Sequence, residues 1–364
     1  MNAQERSLIL SFFSKYYETA PIDIPNIENR EFGIGINKKI DIRHLSFRSN
    51  QQFKSYLAQN TPFYVSHSVS QYLFPEATPI ERKNWQGGDL VFDLDLHAEG
   101  KYEVYGKLDG IKQDTIRLME DFVISDFGIK REEIKFVFSG NRGYHIHVRN
   151  KDLFDLRGEQ KREILDYVKG TGLDYTKFLD LEKKKGGEKI LGPKPTQSGY
   201  RGRFARAVIE KLNNAPLEID RKFLKNEEEK NNFIRGIEEG NWSKSSVKDI
   251  IAKLKVVADK LPLYTVDADA AVSYDLSKLI RVPNSIHGST GFIAKTVQLA
   301  DIEKFDPMKD VLVKSQKTLK VKFIEEVPKI EIAGETLEFK LDDLAELNES
   351  IAIFFVLKGS AGIV

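Results

Sequence analysis

Cysteine is absent from all 364 residues of this chain. That one absence excludes disulfides, thiolate-held zinc, iron–sulfur clusters and a cysteine nucleophile. Long apolar runs are missing as well. The longest covers residues 351–357, whereas a bilayer-spanning helix needs about 20 residues. No apolar stretch follows the opening Met1-Asn2-Ala3-Gln4-Glu5-Arg6, so secretion is not expected and the expected location is the cytoplasm. An excess of one charge is also lacking: 56 Lys and Arg stand against 55 Asp and Glu, a net charge of +1. That balance argues against a general basic coat for nucleic acid. Internal repeats and low-complexity tracts are not found. What is present is 41% hydrophobic and 10% aromatic residues, enough to bury a full core, in a length that allows two lobes or one large mixed domain.

Helical spacing of Leu8, Ile9, Phe12, Phe13 and Tyr16 predicts an opening helix that Pro21 stops. Strand-like runs follow at 31–36 and 39–47, with Asn37-Lys38 as a hairpin turn, and another strand is expected at 90–96. A helix is expected over 110–127, with Ile116, Met119 and Val123 on one face. Residues 134–138 and 144–148 read as strands flanking the turn Ser139-Gly140-Asn141-Arg142-Gly143. From about 207 to 261 the pattern turns to charged helices, and 246–261 carries Val247, Ile250, Ile251, Leu254 and Val257 as a stripe. The expected architecture is a mixed α/β (α+β) core, residues 1–206 and 264–364, interrupted by a helical insertion over 207–263. Between 182 and 206 eight Lys or Arg face two Glu, with Tyr200 and five glycines. Such a loop can follow a phosphate backbone and stack a base, or be an ordinary solvated loop.

Three segments carry chemistry. In Leu90-Val91-Phe92-Asp93-Leu94-Asp95-Leu96 the side chains alternate, so Asp93 and Asp95 share a face, roughly 6.5–7 Å apart along the strand. Two carboxylates backed by an apolar layer repel each other unless a cation sits between them, and hard oxygen donors select Mg²⁺ or Mn²⁺. An exposed sheet face carrying two acids by chance would show the same pattern. The second segment runs from Ser139 to Val148, where Tyr144, Ile146 and Val148 are expected to face the core and His145 and His147 the opposite side. Its turn offers glycine-exposed N–H groups, the Ser139 hydroxyl and the Arg142 guanidinium, the parts of a phosphate cradle. An ordinary hairpin with an exposed HxH pair is the plain alternative. The third segment holds Asp267, Asp269 and Asp275, then Arg281 and the His287-Gly288 turn. Together the three supply metal carboxylates and a triphosphate clamp, which suits nucleotidyl transfer.

In this order and at these separations, the three segments resemble the small catalytic subunit of archaeal and eukaryotic replicative DNA primases, in the archaeal branch. Further similar elements are Arg30-Glu31-Phe32, Ile42-Arg43-His44-Leu45-Ser46-Phe47 and Tyr64-Val65-Ser66-His67, and residues 351–359 look like the closing strand of the archaeal members. The resemblance covers nearly the whole chain and is weakest in the helical insertion. It implies a primase core with an RRM-like sheet plus a helical subdomain. It also implies that Asp93, Asp95 and Asp269 bind the catalytic divalent metals, with Asp267 and Asp275 as nearby alternatives to Asp269. Ser139, Arg142 and His145 match the triphosphate-holding SGxRGxH positions, and Arg281 and His287 match later nucleotide-facing ones. Glu31 and Arg43 match positions around the nucleotide or the growing 3′ end, while His147 inherits no role. The family's zinc knob has no counterpart, since residues 98–133 contain neither Cys nor His, so structural zinc is not expected.

The implied activity is synthesis of short RNA, and in some archaeal members DNA, primers on single-stranded DNA from nucleoside triphosphates. The implied partner is a large regulatory primase subunit, and no membrane is involved. Three rivals make different predictions. A repair or end-joining polymerase of the same superfamily would share the acids and the SGxRG turn. A D-x-D phosphohydrolase would use Asp93 as nucleophile and release phosphate without a template. A binding module alone would keep its affinity after Asp93→Ala.

Overall fold

The opening helix, Ala3–Thr19, is fixed at its start by Asn2, whose side chain accepts from the backbone N–H of Glu5 while the Glu5 side chain accepts from Asn2. It buries Ile9, Phe12, Phe13 and Tyr17, one position round from the expected face, and ends where Ala20 turns extended before Pro21. We describe a computed structural model, covering residues 1–97, 100–184, 187–245, 247–250, 252–254 and 274–364. The chain divides into two compact units. The first contains Met1–Ile116, Ile129–Leu165 and the described residues from 274 to Val364; the second contains Arg117–Gly128 and the described residues from Asp166 onward up to the return into the first.

Two four-stranded antiparallel sheets organise the first unit. One is ordered Thr296–Val297, Ile134–Phe138, Gly143–Val148, Leu90–Asp95. The other is ordered Leu279–Arg281, Tyr64–Ser68, Phe32–Gly35, Ile42–Leu45. The strand Leu90–Asp95 is anchored at its entry by Asp89, which accepts from buried Arg30 at 2.9 Å and from Arg149 at 3.3 Å. As expected from alternation, Phe92 and Leu94 are buried while Asp93 and Asp95 are partly accessible.

Several expectations are corrected. Strands Phe32–Gly35 and Ile42–Leu45 are not joined by a two-residue turn at Asn37-Lys38. The Asp41 carboxylate gathers the N–H groups of Ile36, Asn37 and Lys38 at 2.7, 2.7 and 3.1 Å, which shapes a longer loop. The helix expected over 110–127 is an α-helix, Leu108–Arg117, followed by a π-helical stretch, Leu118–Ile124. Residues 351–357 do not form a strand: helix Glu349–Leu357 is capped by Asn348 and buries Ile351, Ala352, Ile353, Phe354, Phe355 and Val356. An apolar run without alternation suits a helix buried all round as well as a buried strand. Strand Gly143–Val148 is buried on both faces, so His147 is enclosed rather than exposed.

The second unit holds helices Gly199–Asn214, Arg221–Lys225 and Glu227–Glu239 and the hairpin Asp180–Lys184 with Gly187–Leu191. Three glutamates open Glu227–Glu239, where the helix dipole favours them, and Gly240 closes it at φ 78°. Phe204 stacks on Trp242 at 5.5 Å, and Phe223 on Phe233 at 5.5 Å. Val247, Ile250 and Leu254 join that core; Ile251 and Val257 of the expected stripe lie outside the described residues. Within the basic 182–206 segment, Tyr200 and Arg203 are core residues. The Tyr200 hydroxyl donates to the carbonyls of Tyr167 and Val168 at 2.7 and 2.9 Å, and Arg203 pairs with Asp126. Tyr200 is therefore not presented for base stacking. Among the described residues no helix is long and apolar enough to cross a membrane.

Candidate active site

Register in the first sheet builds the site's floor. Asp93 stands opposite His145 and Asp95 opposite Gly143 on the adjacent antiparallel strand. His145 Nε2 lies 3.3 Å from Asp93 Oδ1, and Arg142 Nε lies 3.3 Å from Asp95 Oδ2. Gly143 is dictated by this closeness, because a Cβ there would fall 2.0 Å from the Leu94 carbonyl oxygen. In the turn, Gly140 has φ +85°, a conformation that other residues adopt at a cost. The Ser139 hydroxyl accepts from Gly143 N–H at 3.1 Å, and Ser139 N–H donates to the Gly143 carbonyl at 2.9 Å.

The opposite wall comes from the segment after Leu279–Arg281. Thr290 Oγ1 donates to the Gly140 carbonyl at 2.6 Å, which ties the His287 turn to the Ser139 turn. Ser289 N–H donates to His287 Nδ1 at 3.3 Å, leaving Nε2 as the donor nitrogen of a neutral ring. Burial, then the charges of Arg281, Lys358, Lys39 and Arg142, hold His287 well below the ordinary imidazole range. Arg281 pairs with Ser66 of strand Tyr64–Ser68 and lies over the Tyr64 ring at 5.6 Å. Burial lowers it to about 10, and its Nη1 is enclosed without a hydrogen-bond partner.

All these groups meet in one cleft of about 480 Å³, lined by Asp93, Asp95, Ser139, Arg142, His145, Arg281 and His287. Lys39, Lys278 and Ser289, to which sequence reading gave no role, also line it, as does Tyr64, which it named only within a family-like element. Nothing in the local sequence separates the two lysines from the other basic residues. Glu31 and Arg43 do not line this cleft. Glu31 is buried and holds Arg43 at 2.8 Å, His44 at 3.2 Å and Lys83 at 3.4 Å. Asp275 accepts from Ser277 N–H and Oγ, both at 2.8 Å. Asp267 and Asp269 lie outside the described residues.

The two acids differ. Burial would raise Asp93, but the His145 imidazole, with Lys278 and Arg142, outweighs it and holds the carboxyl below the usual range. Burial and then the Asp93 carboxylate push Asp95 up, only partly offset by His145 and Arg142. Asp93 Oδ1 is enclosed, and beyond His145 Nε2 at 3.3 Å it has no polar partner. An under-coordinated carboxylate oxygen beside a repelled second acid fits a hard divalent cation. Among the described residues, no group of three or more His, Asp or Glu side chains is arranged to hold a metal ion.

A sequence model described as DNA primase small subunit matches residues 92–299, the span containing every cleft acid and most of the clamp. DNA primase small subunit PriS of Methanothrix thermoacetophila is 31% identical, over 99% of both chains. The PriS of Thermoplasma volcanium is 32% identical over 96% of this chain and 95% of its own, and that of Methanosarcina barkeri 30% over 96% and 94%. With a match over more than half its length and such relatives along nearly all of it, the chain belongs to the DNA primase small subunit family.

Proposed function

We propose that this chain is the catalytic subunit of a DNA primase and makes short RNA, or also DNA, primers on single-stranded DNA by two-metal nucleotidyl transfer. The observation that supports this reading is convergence: an acid pair and a cationic clamp face one cleft, with Asp93 against His145 and Asp95 against Arg142. Asp93, Asp95 and Asp269, or Asp267 or Asp275 in its stead, are assigned to Mg²⁺ or Mn²⁺. Such ions, when bound, lower the pKa of a primer 3′-hydroxyl and offset charge at the transferring phosphate.

The chain's own groups do the holding. Arg142 presents a planar fork to phosphate oxygens once a cation balances Asp95. His287 donates from Nε2, and Ser139 and the glycine-opened turn add hydroxyl and N–H donors. Arg281, enclosed with an unpaired Nη1, favours an anionic ligand. Loss of one such group is expected to cost on the order of 10²–10³ in rate. A large regulatory subunit is the proposed partner, and the replication fork within the cell the proposed place of action.

The test is synthesis on a single-stranded DNA template from labelled ribo- and deoxynucleotides with Mg²⁺ or Mn²⁺, with and without the large subunit. Template-dependent oligomers from the native chain, and none from an Asp93→Asn, Asp95→Asn double variant, are expected. Template-independent phosphate release in place of oligomers would sink the proposal.

A further inference from the structure

Helix Glu349–Leu357 runs out beside the active-site cleft. Leu357 and Gly359 line a smaller cavity of about 320 Å³ that shares Tyr64 and Ser289 with the cleft. Lys358 closes the helix, its N–H donating to the Phe354 carbonyl at 2.9 Å. Its Nζ lies over the Tyr105 ring, 4.8 Å from the centre, and 5.8 Å from that of Phe354. Both rings are fastened to the clamp. The Tyr105 hydroxyl donates to Asn141 Oδ1 at 3.4 Å, within the turn from Ser139 to Gly143. Phe354 stacks on Phe292 at 4.9 Å, and the Phe292 carbonyl accepts the His287 N–H at 2.8 Å. The ammonium is thus seated by the two turns that carry Arg142 and His287.

Lys358 is half-buried, and among the described residues no acid pairs with it. The charges that act on it are Lys101 and Arg142, both positive, and Lys101 is itself paired with Glu325. Burial, then these two cations, lowers the ammonium to about 8. His287 in turn feels the Lys358 charge. Neither Asp93 nor Asp95 acts on Lys358, which places it on the side of the clamp away from the acid pair. The helix C-terminus and the ring faces compensate part of its charge. A cation withdrawn from water among other cations remains unfavourable until an anion joins it.

We propose that Lys358 binds the terminal phosphate of the incoming nucleoside triphosphate, as an additional cation of the clamp beyond Arg142 and His287. In nucleotidyl transfer the bond that breaks lies between the α- and β-phosphates, so the acid pair belongs at that end of the chain of phosphates. The γ-phosphate extends away from the acids, toward the side where Lys358 stands. A lysine there acts as a point charge on a flexible stem and does not need the fixed fork of an arginine. Its contact distinguishes a triphosphate from a diphosphate before any bond is made. The assignment rests on the function proposed above.

Calorimetric titration of the full chain with ATP and with ADP, in Mn²⁺, tests this. The native chain is expected to prefer ATP. Lys358→Gln should weaken ATP about 10–100-fold and move ADP little, while Lys358→Arg keeps most of the preference. In primer synthesis the same Gln variant should raise the nucleotide KM with kcat near native. A lysine that only caps its helix would lower the melting temperature of the nucleotide-free chain and leave the ATP preference intact, and that result overturns the proposal. A second measurement needs no variant. Trace acetylation of the native chain with acetic anhydride, read by mass spectrometry, should show Lys358 shielded by ATP and not by ADP; equal labelling with both would also overturn it. If the native chain makes no primers yet loses its ATP preference in Lys358→Gln, the function proposal fails and the phosphate contact stands. Primers made natively, with an unchanged KM in that variant, mean the reverse.

Discussion

His145 and Asp93 face each other across two paired strands, with Nε2 of the imidazole 3.3 Å from Oδ1 of the carboxylate. The contact joins the acid pair to the phosphate clamp through a single register position. A shift by one residue would send His145 to the other face of its strand and break both functions together.

Because Asp95 is pushed up by burial and by Asp93, its negative charge at neutral pH works against the folded state. Asp95→Asn is therefore expected to raise the melting temperature of the chain in EDTA, although Arg142 loses its partner. Added Mn²⁺ should stabilise the native chain and leave the variant nearly unmoved. Scanning fluorimetry with and without the metal checks both signs. A native chain indifferent to Mn²⁺ would contradict the assignment of these acids to a cation.

Glu31 serves as the common acceptor of Arg43, His44 and the buried Lys83. Removing its charge strands Lys83 in the interior, so Glu31→Gln is expected to lose about 3–5 kcal/mol of stability. Urea unfolding measures this. A raised nucleotide KM at unchanged stability would instead return Glu31 to the nucleotide.

Gly143 meets the neighbouring strand too closely for any side chain. Gly143→Ala is expected to cost about 1–3 kcal/mol through overpacking and to lower primer synthesis, since the displaced strand carries Asp95. An alanine variant with native stability would mean that the strand spacing yields at little cost.

His67, His147 and His287 are each held well below the ordinary imidazole value, chiefly by burial. Their folded state resists protonation while the unfolded chain accepts it at about 6.5. Stability from these groups is thus complete above that pH and is lost as pH falls below it, by about 1.4 kcal/mol per pH unit for each ring. Urea midpoints between pH 7.5 and 5.5 should decline accordingly, and His147→Gln should make the decline shallower. A flat profile would show that these rings take up protons in the folded chain.

The acid strand and the clamp turn were legible because their signals are local. Alternation puts Asp93 and Asp95 on one face of any strand, and a Ser-Gly-x-Arg-Gly turn between two apolar runs has few other conformations. Family resemblance rests on the order of such segments. Local pattern failed where the deciding partner is distant or unpatterned. Residues 351–357 are apolar at every position, so only their surroundings decide between helix and strand. Asp41 reshapes a loop through three N–H groups that composition does not mark.

By itself, then, the sequence determined which residue types stand on the acid strand and in the clamp turn, since period and turn chemistry depend on neighbours in the chain. Tertiary structure alone decided that Arg281 and His287 reach the same cleft, that Glu31 and Tyr200 are withdrawn from solvent, and that His67 meets His147. Those outcomes depend on which sheets and turns pack together, and packing joins residues whose separation along the chain carries no periodic trace.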